Sequence, residues 1–350
     1  MFFTSVIIKV CLGPVNEVCI EPFSMLNFCW EKKMKRNTLG RTGIEVSILA
    51  LGTLTMSPMQ RGLSLEDGAE VILHALSSGI NFIDTAQMYG SYDQVHLALR
   101  KWMGPDPVIA SKSACKGFEE MTAAIDECLV RLNRDKIDVF LLHAVRDIDD
   151  FRAREGALQA LLAAKEKGKI IAMGASSHSA RMIETLAEDE RIEVIHPMIN
   201  RDGIGILDAG LDEMIRFLKR ARENGKGIYA MKPLGGGHLR TDAIAALTWL
   251  FESKLVDSAA VGMTTFEEVD MNAAIAMKKM VDVAFAERVA GQPRRLFINE
   301  MICKNCGACI EACQQRALKP GKRTPRIDFA KCLLCGYCAP VCPSFAIRII

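Results

Sequence analysis

Residues 38 to 290 alternate between short apolar runs and longer stretches whose apolar positions recur at helical spacing. The runs Val46–Leu51, Phe82–Thr85, Val108–Ser111, Val139–His143, Ile170–Ser176, Val194–Met198, Gly227–Met231 and Ser258–Val261 are rich in Ile, Val and Ala. They read as strands buried on both faces, which is the signature of a parallel sheet. Between them, stretches such as Leu65–Ser78, Phe118–Leu132, Gly156–Lys167, Ala180–Asp189 and Leu211–Asn224 read as amphipathic helices. Eight strands alternating with helices over about 250 residues predict a (β/α)8 barrel, the TIM barrel of the α/β class. A doubly wound sheet would usually open with a glycine-rich turn after its first strand, and Leu51-Gly52-Thr53-Leu54 does not supply one.

Composition then narrows the setting. Half of the 350 residues are hydrophobic and a quarter are charged, enough to build a sizeable core. The net charge of +2 implies no general attraction to nucleic acid or to a membrane surface. No apolar run reaches the roughly 18 to 20 residues of a membrane span. The first 33 residues place Lys9 after the first apolar run, the wrong order for a signal peptide. Residues 1–33 are therefore expected to be an extension outside the fold, with Met34 as its natural start and the cytoplasm as its compartment.

Eight of the thirteen cysteines crowd into Cys303 to Cys342. A disulfide framework would spread its pairs, so a tight block points to metal. The first run is Cys303-x2-Cys306-x2-Cys309-x3-Cys313, and the second is Cys332-x2-Cys335-x2-Cys338-x3-Cys342 followed by Pro343. Two-residue gaps let successive thiolates curl around one corner of an iron–sulfur cube, and Gly307 and Gly336 let the backbone approach it. Zinc also uses C-x2-C pairs, but rarely with a third and a fourth cysteine at these spacings in both runs. Residues 298 to 346 resemble two-cluster bacterial ferredoxins, with Gln314 replacing the usual proline after the fourth cysteine. In that arrangement the fourth cysteine serves the other cluster. This implies that Cys303, Cys306, Cys309 and Cys342 hold one [4Fe-4S] cluster, and Cys332, Cys335, Cys338 and Cys313 the other. From Ile298 onward eight Lys or Arg face three acids, 8 − 3 = +5, which the negative clusters would offset. The expected organisation is an extension (1–33), a barrel (34–290), a linker (291–297) and a small α+β ferredoxin-like domain (298–350).

In a barrel, chemistry sits at the C-terminal ends of the strands. Those ends carry Asp84, Tyr89 in the following loop, Lys112 and His143. The segments around them, Gly79-Ile-Asn-Phe-Ile-Asp84-Thr-Ala-Gln-Met-Tyr89-Gly90 and Lys136-Ile-Asp-Val-Phe-Leu-Leu-His143, resemble aldo-keto reductases, as do Leu39-Gly40-Arg41-Thr42-Gly43 and Gly168-Lys-Ile-Ile-Ala-Met-Gly174. With the cysteine block, the chain resembles the iron–sulfur-bearing branch of that family. The resemblance implies reduction of a small carbonyl compound, or oxidation of an alcohol, with NAD(P)H. Tyr89 would be the general acid, and the Lys112 ammonium, held by Asp84, would lower its pKa. His143 would orient the carbonyl.

The implied nicotinamide site departs from the family pattern. Ser176 matches, but Ser177-His178 follows where the family has asparagine, His196 replaces a glutamine, and Asn200 matches. Met231 stands where many members place a stacking tyrosine, followed by Lys232, Pro233 and Leu234. The segment Gly262 to Asn272 offers Thr264, Thr265 and Glu268 where NADPH-dependent members usually carry Lys or Arg. An acidic side chain suits a ribose hydroxyl better than a 2′-phosphate, so NADH is favoured. A hydride carries two electrons and a cluster passes one, so electronic coupling of the halves would need a converter such as a flavin. The alternatives are therefore a reductase with structural or regulatory clusters, a flavin-linked enzyme, or an electron-transfer protein serving a ferredoxin- or flavodoxin-type partner.

Overall fold

The computed structural model describes residues 34–291, 295–344 and 346–349, so the expected N-terminal extension lies outside the described residues. A hairpin, β1 (Arg36–Thr38) and β2 (Glu45–Ser47), precedes the barrel. The barrel strands are β3 (Leu49–Gly52), β4 (Phe82–Asp84), β5 (Val108–Ser113), β6 (Ile137–Leu142), β7 (Ile170–Ser177), β8 (Val194–Pro197), β9 (Gly227–Met231) and β10 (Ser258–Gly262). They close in chain order, with β10 beside β3, and every pairing is parallel. The expected first strand, Val46–Leu51, is divided: Val46 belongs to the hairpin and only Leu49 onward enters the barrel.

Helices α1 (Leu65–Ser77), α2 (Tyr92–Lys101), α3 (Phe118–Leu132), α4 (Ile148–Arg152), α5 (Glu155–Glu166), α6 (Ala180–Glu188), α7 (Leu211–Glu223), α8 (Ala243–Glu252), α9 (Phe266–Ala276) and α10 (Val283–Ala290) follow the strands. Several start on a side-chain cap: Ser64, Ser179, Thr265 and Asp282 each accept an amide hydrogen bond from the first turn. An aliphatic layer lies between strands and helices. Leu39, Ile44 and Val46 of the hairpin pack with the smaller interior group of Phe82, Val139, Leu141 and Tyr229. That leaves the opposite end, where the strands finish, for chemistry.

The C-terminal module pairs β11 (Leu296–Ile298) with β14 (Ile347–Ile349), and β12 (Leu318–Lys319) with β13 (Arg326–Ile327), around the short α11 (Ala308–Glu311). Because β11 begins at Leu296, the module's sheet starts inside the segment expected to be linker. Leu333 anchors the module on the barrel and is only 2% exposed. A β-carbon at Gly205 would come within 2.4 Å of its side chain, and one at Gly236 within 2.3 Å of its carbonyl oxygen. Both glycines have positive φ, so the docking seat depends on their lack of a side chain. Gln60 Nε2 donates to the Leu334 carbonyl at 2.8 Å, and the His238 ring meets the Cys332 carbonyl at 2.9 Å. The module thus covers the end where the barrel strands finish.

Candidate active site

The expected quartet comes together. Lys112, on β5, donates to Asp84 Oδ1 at 2.6 Å and to the Thr85 carbonyl at 2.8 Å. Both charged side chains are buried, and the Tyr229 hydroxyl donates to the same Asp84 oxygen at 3.0 Å. The Lys112 Nζ lies 5.1 Å from the centre of the Tyr89 ring. Tyr89 and His143 meet edge to face, with ring centres 5.6 Å apart.

The electrostatics differ from the expectation. Burial pushes the Tyr89 hydroxyl well above the ordinary tyrosine range, helped by Tyr337, Asp84 and Cys335. Burial outweighs the lowering expected from Lys112, and it pulls the lysine itself down. Burial also holds His143 well below the usual histidine range, aided by Lys112, so its ring is neutral. His196 falls to about 4, through burial first, against the opposing pull of Asp84. Its ring stacks on Tyr229 at 3.9 Å and meets the Tyr229 carbonyl at 2.6 Å.

One member of this group was not anticipated from the sequence. Tyr337, from the second cysteine run, reaches down from the module. Its hydroxyl lies 3.1 Å from His143 Nε2, and it is one of the neighbours that raise the Tyr89 pKa. Lys232 Nζ lies 5.7 Å above its ring and 3.0 Å from His178 Nε2. The His178 ring lies parallel to that of Tyr337 and accepts a contact from Gln315 of the module at 3.3 Å. His178, a departure from the family pattern, and Lys232, an expected nucleotide residue, are therefore residues that face the module. A signal was present in the sequence: Tyr337 occupies the place that Ala308 holds in the first run.

Beside the quartet lies a cavity of about 340 Å³. It is lined by His196, Met231, Lys232, Pro233, Leu234, Gly262, Glu268 and Asn272 of the expected nucleotide residues, and by Cys332, Leu333, Cys335 and Tyr337 of the module. Four expected residues are not in its wall. Ser176 Oγ accepts from the Ala144 amide, Asn200 closes its own loop onto Ile204, and the hydroxyls of Thr264 and Thr265 serve Glu268. Each is a short polar side chain captured by nearby backbone or by its own helix start. Two residues missed by sequence reasoning, Arg61 and Arg240, also line the cavity. The buried Arg240 Nε and Asn272 Oδ1 have no hydrogen-bond partner among the described residues. Such atoms suit a polar ligand with donors and acceptors of its own, which a dinucleotide has.

In the module the thiols influence one another electrostatically, with Cys338 sensing Cys335, Cys332, Cys313 and Cys309. Cys309 senses Cys342, Cys303 and Cys306, while Cys332 senses Cys335 and Cys313. The two runs repeat one backbone path. Asn305 and Leu334 have positive φ two residues after the first cysteine, and Gly307 and Gly336 do so four residues after it. The amides of Ala317 and Ala346 donate to Cys313 and Cys342 sulfurs, each at 3.3 Å. Amide donors of this kind stabilise sulfur that carries negative charge.

Comparison with known proteins agrees with this construction. A 4Fe-4S dicluster domain matches residues 273–346, beginning within α9 of the barrel. A 6-dehydroglucose reductase from Novosphingobium aromaticivorans is 28% identical over 59% of this chain and 71% of its own length. An L-galactose dehydrogenase from Arabidopsis thaliana is 23% identical over 69% of this chain and 88% of its own. The solved structure of an aldo-keto reductase from Bacillus halodurans, in its holo form, superposes with a TM-score of 0.58 at 20% identity. It covers 73% of this chain and 95% of that one, and supports the fold. The aldo/keto reductase family itself matches residues 48–243, more than half of the sequence, and the chain therefore belongs to that family.

Proposed function

We propose that this oxidoreductase reduces a small carbonyl compound, or oxidises the matching alcohol, with a nicotinamide nucleotide, and that its module holds two [4Fe-4S] clusters. The observation that carries the reading is the convergence of Tyr89, His143 and the Lys112–Asp84 pair beside a cavity lined by expected nucleotide residues. A bound dihydronicotinamide would supply a hydride to the carbonyl carbon. Tyr89 gives its proton to the carbonyl oxygen, where the alkoxide forming at that point is a stronger base than phenolate. A raised tyrosine pKa keeps that proton in place until it is needed and suits the reducing direction. Neutral His143 hydrogen-bonds the same oxygen and orients it. The Lys112–Asp84 pair places positive charge beside Tyr89 when phenolate forms. Glu268 in the cavity wall favours NADH over NADPH, while Arg240 and Arg61 suit the pyrophosphate.

The cluster ligands would be Cys303, Cys306, Cys309 and Cys342 for one cube, and Cys332, Cys335, Cys338 and Cys313 for the other. We place the chain in the cytoplasm, a reducing compartment that suits so many thiolates. We place the domain division at a barrel to residue 290 and a module from about residue 296. Turnover of an aldehyde panel with NADH and with NADPH, by anaerobically purified protein, tests the reading. Tyr89→Phe should lower the rate by about 10²–10⁴. Undiminished turnover by that variant would remove Tyr89 from the chemistry.

One observation favours a second reading. Cys332 and Cys335 line the same cavity as Met231 and Lys232, so electrons could pass between nucleotide and cluster through a flavin to a ferredoxin- or flavodoxin-type protein. Iron, sulfide and flavin analysis, with absorbance recorded before and after NADH, separates the two. Bound flavin and bleached clusters select the second reading, and unbleached clusters without flavin select the first.

A further inference from the structure

A second cavity, of about 600 Å³, opens at the seam between barrel and module. Its walls come from the segments around Lys116 and Arg146 in the barrel and from Ile310 to Arg316 in the module. Among the described residues, only His143 and Tyr337 line both this cavity and the nucleotide-side one. Those two side chains, joined at 3.1 Å, form the partition between the cavities.

The partition is built from the reacting groups. The Tyr337 hydroxyl meets His143 Nε2 and is an electrostatic neighbour of the Tyr89 hydroxyl. Under the proposed function, a carbonyl oxygen needs those same two partners. The Tyr337 hydroxyl therefore stands where the substrate oxygen must go. Exchange of one oxygen for another leaves neither Tyr89 nor His143 unpaired, so displacement carries little penalty at that point.

Counted over its ionic side chains, without the cluster that Cys313 would ligate, the charge of the seam cavity is one-sided. Lys116, Arg146, Arg154 and Arg316 line it against Asp150 and Glu311, 4 − 2 = +2. Arg154 is saturated: it holds Asp150 at 2.8 Å and the His143 carbonyl at 2.9 Å, which braces His143 from behind. Lys116 and Arg146 reach the same Asp150 only at 3.7 and 3.8 Å, and their side chains are 56% and 57% exposed. One carboxylate thus faces three cations, and two of these keep donors for an incoming anion.

We propose that the substrate is an anionic carbonyl compound that enters through this seam. Its oxygen replaces the Tyr337 hydroxyl between Tyr89 and His143, and its carboxylate lies among Lys116, Arg146 and Arg316. This inference rests on the reductase reading and adds a substrate class and a specificity role for the iron–sulfur module. Tyr337 sets the shape of the site and excludes compounds that cannot supply an oxygen in its place.

The test uses hydroxy acids and their uncharged amides as product mimics, so that no turnover is required. Lactate with lactamide, and 4-(hydroxymethyl)benzoate with 4-(hydroxymethyl)benzamide, are titrated calorimetrically into the cluster-loaded full chain with NADH, which has no hydride to accept from an alcohol. In at least one pair the acid should bind about tenfold tighter, the worth of a charge-assisted hydrogen bond. The double variant Lys116→Ala, Arg146→Ala should erase that preference and leave amide binding unchanged. Tyr337→Phe, which removes the competing hydroxyl, should tighten both members of the pair and preserve their ratio. Cluster absorbance and thermal melting report whether each variant is intact. Equal binding of acid and amide in both pairs would overturn the anionic class. Weaker binding of both members to Tyr337→Phe would overturn the exchange at the oxygen position. Failure of the reductase reading appears separately, as absent reduction of 4-carboxybenzaldehyde by NADH or NADPH while the binding ranks remain.

Discussion

The two halves of the site are held in different ways. The barrel fixes Asp84, Lys112 and Tyr229 on strands backed by a large aliphatic layer, and their hydrogen bonds are made within the barrel itself. The module presents Tyr337 and Leu333 on loops whose buried core is small and includes Cys309, Cys338 and Cys342. A core of that size supplies little hydrophobic stabilisation, so clusters must provide the rest. We expect the barrel half to be preformed and the module half to be stable only when metal is bound.

The largest expected break in the comparison is cluster removal. Chelation under acid-free conditions should abolish amide protection in residues 296–349 while the barrel amides stay protected, as read by hydrogen exchange. Loss of protection in β4 and β5 as well would show that the barrel depends on the module. Next comes Lys112→Met, which leaves the Asp84 carboxylate buried without its partner. It should cost about 3–5 kcal/mol in a denaturant titration. A smaller loss, about 2–4 kcal/mol, is expected for Leu333→Ala, and should appear in module docking rather than in barrel unfolding. If Leu333→Ala leaves the NADH affinity and the hydrogen exchange of Gly205 and Gly236 unchanged, the wedge does not seat the module.

The smallest effect sharpens the barrel side. His196 is buried neutral, with its pKa lowered to about 4. The unfolded chain takes up that proton below about pH 6.5. The stabilisation is therefore complete above about pH 6.5 and is lost as pH falls toward about 4, with about 2 kcal/mol gone by about pH 5. Melting temperatures of wild type and His196→Gln should differ more at pH 7 than at pH 5, with the variant showing the shallower acid dependence. Parallel curves would mean that the ring gains no proton on unfolding.

Much of the barrel was legible because strand burial and helix amphipathicity are local patterns, and Asp84, Tyr89, Lys112 and His143 stand at strand ends that such patterns locate. The split of Val46 from Leu49 was not legible, since a hairpin strand and a barrel strand are equally apolar and only two residues separate them. Thr264, Thr265, Asn200 and Ser176 were placed at the nucleotide by family pattern, whereas the fold gives their side chains to local backbone and helix-cap bonds. Tyr337 escaped because its partners, Tyr89 and His143, are remote in sequence and no local pattern records such a contact. The asymmetry between Ala308 and Tyr337 in otherwise matching cysteine runs was the one sequence trace of it.

The central claim is that the barrel transfers a hydride to a carbonyl at Tyr89. The most direct measurement incubates the cluster-loaded protein with NADH carrying deuterium at C4, in each stereochemical form, and an aldehyde panel. Deuterium on the carbinol carbon from one form, and none with Tyr89→Phe, is the predicted result. NADH oxidation with bleached clusters, and no deuterium in any alcohol, would contradict the account and leave the chain an electron-transfer protein.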